Sequence, residues 1–325
     1  MLQPRTFNLE PYLKPQTSQM RPPLLAALAS LLACTARAQQ GATAAGDSLR
    51  TRVIVLGSGT PNADPDRSGP ALAVVVNGAV YLVDAGPGIV RRAAAARFGR
   101  DDSLAIAKLG IVFLTHLHSD HTAGLPDLLL TPWVLGRTAP LRVFGPRGTQ
   151  AMMEHLALAY GADVRIRLRG GEPSNKTGYR ATTRDVSPGL VYRDANVTVT
   201  AFAVAHGAWP QAFGYRFQTP DRTIVISGDT GPDSHIEEQC RRCDVLVHEV
   251  YSAERFATRA PAWQRYHARY HTSTFELAAL AARAKPKLLV LYHQLYWGDD
   301  DEGLLRQVRS RYSGAVVSGR DLGIY

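Results

Sequence analysis

The chain has 325 residues, of which 45% are hydrophobic and 20% charged, with a formal charge of +9. This balance excludes disordered and collagenous classes and leaves room for one large domain or two small ones. The first 38 residues carry Arg5, Lys14, Arg21 and Arg37 against Glu10, so the rest is near +6, a mildly basic balance that suits anionic substrates without naming one.

Residues 1–19 are polar and Pro-rich without periodicity. Met20-Arg21-Pro22-Pro23 then leads into the apolar run Leu24 to Cys34 and the small-residue site Ala36-Arg37-Ala38. A basic start, a short apolar core and an A-x-A site predict a signal peptide over 1–38, with Met20 as the working start and 1–19 as an extension ahead of it. The apolar run is about half of the ~20 residues that a membrane-spanning helix needs. Export to the periplasm or medium is therefore expected. The alternative is a lipoprotein anchored through Cys34, because Leu31-Leu32-Ala33-Cys34 loosely resembles a lipidation box. A Gly/Ala-rich linker follows over 39–50, and 51–325 is read as one domain.

Within that domain short apolar strands alternate with helical patterns. Arg52 to Leu56 reads as a strand closed by the turn cluster Gly57-Ser58-Gly59-Thr60-Pro61. Leu72 to Val76 and Val80 to Asp84 form a hairpin about Asn77-Gly78. A helix over Gly88 to Phe98, a strand over Ile111 to Thr115, a strand over Leu141 to Phe144 and a helix over Gly148 to Tyr160 come next. Residues 161–195 read as a loop or hairpin. Strands follow at Val197 to Ala205, Phe213 to Phe217 and Thr223 to Ser227. A helix over Ser234 to Arg242 and a strand over Asp244 to Val250 come after them. Ser273-Thr274-Phe275-Glu276 is a capping box opening a helix to about Lys285. A strand over Leu288 to Tyr292, a helix over Leu304 to Tyr312 and a strand over Ala315 to Ser318 complete the chain. Cys240 and Cys243 stand as C-R-R-C, either a disulfide in an oxidising compartment or two small half-buried residues.

The chemistry concentrates in Leu114-Thr115-His116-Leu117-His118-Ser119-Asp120-His121. Three imidazoles and a carboxylate within six residues supply the nitrogen and oxygen donors that Zn2+ prefers. His116 and His118 leave a strand end on one side, and Asp120 and His121 sit where the chain turns into a helix near Ala123. Gly57-Ser58-Gly59 lacks the lysine of a phosphate-binding loop and the spacing of a dinucleotide fingerprint; it reads as a turn bordering the metal site.

The H-x-H-x-D-H motif resembles the signature of the metallo-β-lactamase superfamily. Leu56-Gly57-Ser58-Gly59-Thr60-Pro61, Val83-Asp84-Ala85-Gly86, Phe213-Gly214-Tyr215-Arg216, Ser227-Gly228-Asp229-Thr230 and His248-Glu249-Val250 resemble its ribonuclease Z and arylsulfatase-like branch. The resemblance implies an α/β fold, a four-layer αββα sandwich, and a binuclear zinc hydrolase. It assigns His116, His118 and His206 to one zinc, Asp120, His121 and His293 to the other, and Asp229 to both. It makes His271 a proton donor or a phosphate or sulfate contact near the leaving group, oriented by Glu249, and in two-metal chemistry Asp120 also fits as an orienting base. His248 is then structural, and His155, His235 and His267 are surface residues.

Such a site lowers the pKa of a water to near neutrality, and the hydroxide attacks a phosphorus, sulfur or carbonyl centre. The expected substrate is a small anionic phosphodiester or sulfate ester. The alternatives are ribonuclease Z-like processing of tRNA 3′ ends, a lactonase or β-lactamase-type acyl hydrolase, and a non-catalytic metal-binding protein. Nucleic acid ranks lower for two reasons: an exported protein seldom meets precursor RNA, and residues 161–195, with Arg165, Arg167, Arg169 and Arg180, lack a Gly-Pro-rich arm. An iron redox protein would carry acidic replacements in the first motif and a flavin domain, which this chain does not show. The oligomeric state is open between monomer and homodimer.

Overall fold

A computed structural model of the protein describes residues 50–100 and 102–325. The signal and linker readings fall on residues outside this range, apart from Arg50. The elements in chain order are β1 (Thr51–Gly57), β2 (Ala71–Val76), β3 (Ala79–Val83), α1 (Ile89–Arg100), β4 (Ile111–Phe113), α2 (Ser119–Thr122), α3 (Leu125–Val134), β5 (Leu141–Gly145), α4 (Thr149–Ala159), α5 (Gly161–Arg169), β6 (Ala181–Asp185) and β7 (Gly189–Arg193). They continue with β8 (Thr198–Ala203), β9 (Phe213–Gln218), β10 (Thr223–Ile226), α6 (Ser234–Cys240), β11 (Val245–Tyr251), α7 (Ala253–Phe256), α8 (Pro261–Tyr270), α9 (Thr274–Ala284), β12 (Leu288–Leu295), α10 (Asp301–Arg309) and β13 (Val316–Ser318).

The strands build two mixed sheets, one ordered β1-β2-β3-β4-β5-β6 and the other β13-β12-β11-β10-β9-β8-β7. Each is antiparallel at its meander and parallel where helices cross over. Side chains alternate across a strand. In β1, Val53 and Val55 therefore face the second sheet while Ile54 and Leu56 pack under helices. Strands buried on both faces explain the unbroken apolar runs of the sequence. The inter-sheet layer centres on Phe113, whose ring lies 5.1 Å from Phe144, 5.6 Å from Tyr215 and 5.7 Å from Phe217. Truncating such a ring to alanine costs about 3–5 kcal/mol. A second apolar layer joins the first sheet to α1, α3 and α4, and a third joins the second sheet to α6, α9 and α10. The result is a four-layer αββα sandwich.

Two stretches differ from their sequence pattern. Residues 161–195 are neither a loop nor a hairpin: α5 carries no buried side chain, and β6 and β7 are edge strands of different sheets, so the stretch is the crossover between sheets. Residues 170–180 fold back on the body, where Asn175 O accepts from Trp133 Nε1 at 2.8 Å and Gly178 O from the buried Arg137 at 2.9 Å. The other difference is α8. Trp263, Tyr266, His267 and Tyr270 recur at helical spacing, an aromatic stripe among Gln264, Arg265 and Arg269. The capping box on α9 is present, with both Ser273 and Glu276 engaged. Cys240 and Cys243 are joined by a disulfide at the end of α6. Among the described residues no helix is long and apolar enough to cross a membrane.

Candidate metal centre

The site lies along one rim of the sandwich, where strands end and turn. His116 follows β4, His118 caps α2, and Asp120 and His121 lie in that single turn of helix. His206 follows β8 and Asp229 follows β10. The Gly228 backbone has φ +63, and a Cβ there would lie 2.7 Å from Phe213 O, so glycine sets the sharp turn that presents Asp229.

His293 does not follow the end of its strand, as the sequence suggests. It lies within β12 as a bulge: Tyr292 pairs with Glu249 and Gln294 with Val250, leaving His293 without a partner residue and at φ 45. The extra residue re-aims the imidazole into the rim. Asp84, after β3, is likewise left-handed at φ 61. Such conformations cost about 1–3 kcal/mol and persist where the surroundings over-determine them.

All seven residues converge. His116, His118, His206 and Asp229 form one cluster of donor atoms, and Asp120, His121 and His293 a second. Asp229 Oδ2 lies 3.9 Å from His116 Nε2, 3.4 Å from His121 Nε2 and 3.5 Å from His293 Nε2, so it stands between the two. A further grouping, Asp229, His271 and His293, brings His271 to the same rim.

The donor set fits cations. His118 Nδ1 faces His116 Nε2 at 2.9 Å and His206 Nε2 at 3.2 Å, and one proton satisfies only one of these contacts. Asp229 Oδ1 and His121 Nε2 are buried without a hydrogen-bond partner. Buried polar atoms without partners are rare and call for an unplaced group, and imidazole nitrogens with carboxylate oxygens are donors that a divalent metal ion takes.

The surrounding residues orient the rings. Asp84 accepts from His121 Nδ1 at 2.8 Å and from Thr115 N at 2.8 Å, which turns the lone pair of His121 Nε2 into the centre. The Tyr270 carbonyl does the same for His206 at 2.8 Å. The Trp209 indole N–H donates to His118 Nε2 at 2.8 Å. The sequence reading gave Asp84, Trp209 and Tyr270 no role.

The electrostatics divide the two clusters. Burial holds His116 well below the ordinary imidazole range, lowers His118, and takes His206 down to about 4. Burial acts the same way on His121 and His293, but the Asp229 carboxylate, joined by Asp84 for His121 and Asp120 for His293, outweighs it and raises both. Burial opposes ionisation of Asp229, yet the His293 and His121 rings keep it well below the usual carboxylate range.

Beside the centre, Glu249 Oε2 stands 3.4 Å from His271 Nδ1. Burial, joined by Asp229, pushes Glu249 well above its usual range, and burial takes His271 down to about 4. His248 is buried in β11 with Nδ1 at 2.6 Å from Glu249 O, while His155 and His235 are exposed. His267 is a correction to the surface assignment: it is buried and lines the cavity over the centre, because α8 lays its aromatic stripe across the rim.

The family described as Beta-lactamase superfamily domain matches residues 80–294. Ribonuclease Z of Mycobacterium marinum (strain ATCC BAA-535 / M) is 32% identical over 276 residues, 83% of this chain and 96% of the relative. The chain belongs to the metallo-β-lactamase superfamily, on its ribonuclease Z branch. Ribonuclease Z of Mycobacterium bovis (strain BCG / Pasteur 1173P2) is 33% identical over 83% of this chain and 96% of its own length. Among solved structures, the metallo-β-lactamase fold protein YhfI of Bacillus subtilis aligns with a TM-score of 0.65 at 17% identity, over 85% of this chain and 98% of that one. Human tRNase Z, short form, aligns at 0.62 and 21% identity, over 84% and 98%. Both share the fold. The superfamily assignment makes the chain a metal-dependent hydrolase.

Proposed function

We propose that this hydrolase is a two-zinc phosphodiesterase with RNA as its substrate class. The observation that carries the two-metal reading is Asp229 Oδ2 within 3.4–3.9 Å of three imidazole nitrogens from both clusters. The choice of RNA rests on the relatives named ribonuclease Z, and it moves nucleic acid ahead of the small esters favoured by the sequence pattern.

In this reading His116, His118 and His206 hold one zinc, Asp120, His121 and His293 the other, and Asp229 serves both. Two zinc ions held this way supply hydroxide near neutral pH and positive charge opposite the phosphoryl oxygens. Asp120 is kept ionised against the pull of burial by the His293 ring, so it stays an acceptor that orients the attacking water. His271 hands a proton to the leaving oxygen as the P–O bond breaks. Glu249, which burial raises well above its usual range, would pass its own proton to Nδ1 at the same time, and a solvent proton would then reset the pair. The product phosphate keeps the oxygen of the attacking hydroxide.

A second reading, a small phosphodiester or sulfate ester, is favoured by the shortness of the projecting segment. The nine residues of α5 span about 13 Å and the chain then folds back. Zinc-loaded protein is to be assayed on a 3′-extended tRNA precursor, an RNA oligonucleotide, bis(p-nitrophenyl) phosphate, p-nitrophenyl sulfate, p-nitrophenyl acetate and a lactone. Cleavage of RNA supports the first reading. Turnover of the small diester or sulfate without RNA selects the second. Turnover of acetate or lactone alone overturns both.

A further inference from the structure

The cavity above the metal centre has a volume of about 390 Å³, and its two ends differ in chemistry. Its floor holds Asp120, Asp229, His271 and His293, and its outer wall holds Trp263, Tyr266, Trp297 and Arg259. Trp263 remains 51% exposed although it sits beside the centre. The Arg259 guanidinium lies 5.1 Å from the Trp297 ring centre and 5.9 Å from that of Trp263. Its Nε is buried with no hydrogen-bond partner among the described residues. His267 lies between the indoles, 4.5 Å from Trp297 and stacked on Trp263 at 5.6 Å, with Nδ1 also buried and without a partner.

We infer that this wall is a subsite for the nucleobase next to the scissile phosphate, on the His271 side. The inference deepens the phosphodiesterase reading and rests on it. The floor fixes where the phosphoryl group goes, and the wall fixes what must be attached to it. Aromatic faces bind planar π systems of any base by stacking, and a guanidinium beside them adds attraction to the ring and a donor for its acceptor atoms. Aliphatic groups lack the planar π face that such stacking uses. Trp263, Tyr266 and His267 share α8 with Tyr270, the residue before His271, so the wall stands on the His271 side of the floor.

The experiment compares binding of adenosine 5′-monophosphate and ribose 5-phosphate to zinc-loaded full-length protein by calorimetry. The proteins are the wild type, Trp263→Ala and Trp263→Phe, and zinc content is measured alongside. Stacking of one base corresponds to about a tenfold or larger gain in affinity. The nucleotide is therefore expected to bind at least about tenfold tighter than the sugar phosphate. Trp263→Ala should remove most of that difference without changing ribose 5-phosphate affinity or zinc content, and Trp263→Phe should restore much of it. Equal binding of the two ligands by the wild type, no nucleotide binding at millimolar concentration, or equal weakening of both in Trp263→Ala would overturn the subsite. Base-dependent binding without phosphodiester hydrolysis would uphold the subsite and defeat the phosphodiesterase reading. Hydrolysis without base preference would do the reverse.

Discussion

Glu249 Oε2 and His271 Nδ1 face each other at 3.4 Å with both side chains buried, and Asp229 Oδ2 lies 4.0 Å from the same ring nitrogen. Burial disfavours charge on either group: it raises Glu249 well above the usual carboxylate range and lowers His271 to about 4. The proton-donor role proposed for His271 is separate from that of the metal clusters. We expect His271→Ala to lower turnover about 10²- to 10⁴-fold with poor leaving groups. The loss should be smaller with p-nitrophenolate, which needs little protonation, and metal content should be unchanged. Glu249→Gln should show the same leaving-group dependence with a smaller loss. Rates across a leaving-group series, with metal analysis of each variant, check this. Loss of metal in His271→Ala would instead make His271 a ligand, as its grouping with Asp229 and His293 allows.

Asp84 holds His121 through Nδ1 and Thr115 through its amide and hydroxyl. Partners that orient a metal-binding histidine typically contribute 10- to 100-fold in metal affinity. Asp84→Asn is therefore expected to weaken the metal held by Asp120, His121 and His293 by about that factor and to leave the other nearly unchanged. Competition with a chromophoric chelator measures both.

The two clusters should also respond differently to pH. Ligating imidazoles must be neutral. Those of His116, His118 and His206 are lowered, whereas those of His121 and His293 are raised and hold their protons to higher pH. Metal entering beside Asp120, His121 and His293 must expel protons, so its affinity should rise with pH. Calorimetric zinc titrations in buffers of different ionisation enthalpy should give one step with little proton release and one with clear release. Two steps releasing equal numbers of protons would contradict this.

Export is proposed from Met20 to Ala38, and the Cys240–Cys243 disulfide is compatible with an oxidising compartment. N-terminal sequencing of exported protein should begin near Gln39. Retention in the cytoplasm with residues 20–38 intact would reject the signal reading, and lipid on Cys34 would select the lipoprotein alternative.

The sandwich is legible in the sequence because strands covered on both faces leave unbroken apolar runs, as in Leu72 to Val76. The residues from His116 to His121 are legible because six consecutive positions hold four donors. His206 and Asp229 are assigned by the family resemblance, and their places at strand ends agree with it. What the sequence hides depends on partners distant in the chain. The bulge at His293 exists only through its pairing with β11, and Asp84 acquires its role only when β3 and β4 lie side by side. The stripe of α8 is visible at positions 263, 266, 267 and 270. Its placement over the rim, which buries His267, is a tertiary fact.

The central claim is that one chain holds two metal ions through Asp229. Elemental analysis of protein purified without chelator, wild type beside Asp229→Ala, tests it most directly. We expect about two zinc per wild-type chain and a loss from both clusters in the variant. One metal or fewer per wild-type chain, or two retained in Asp229→Ala, would contradict it.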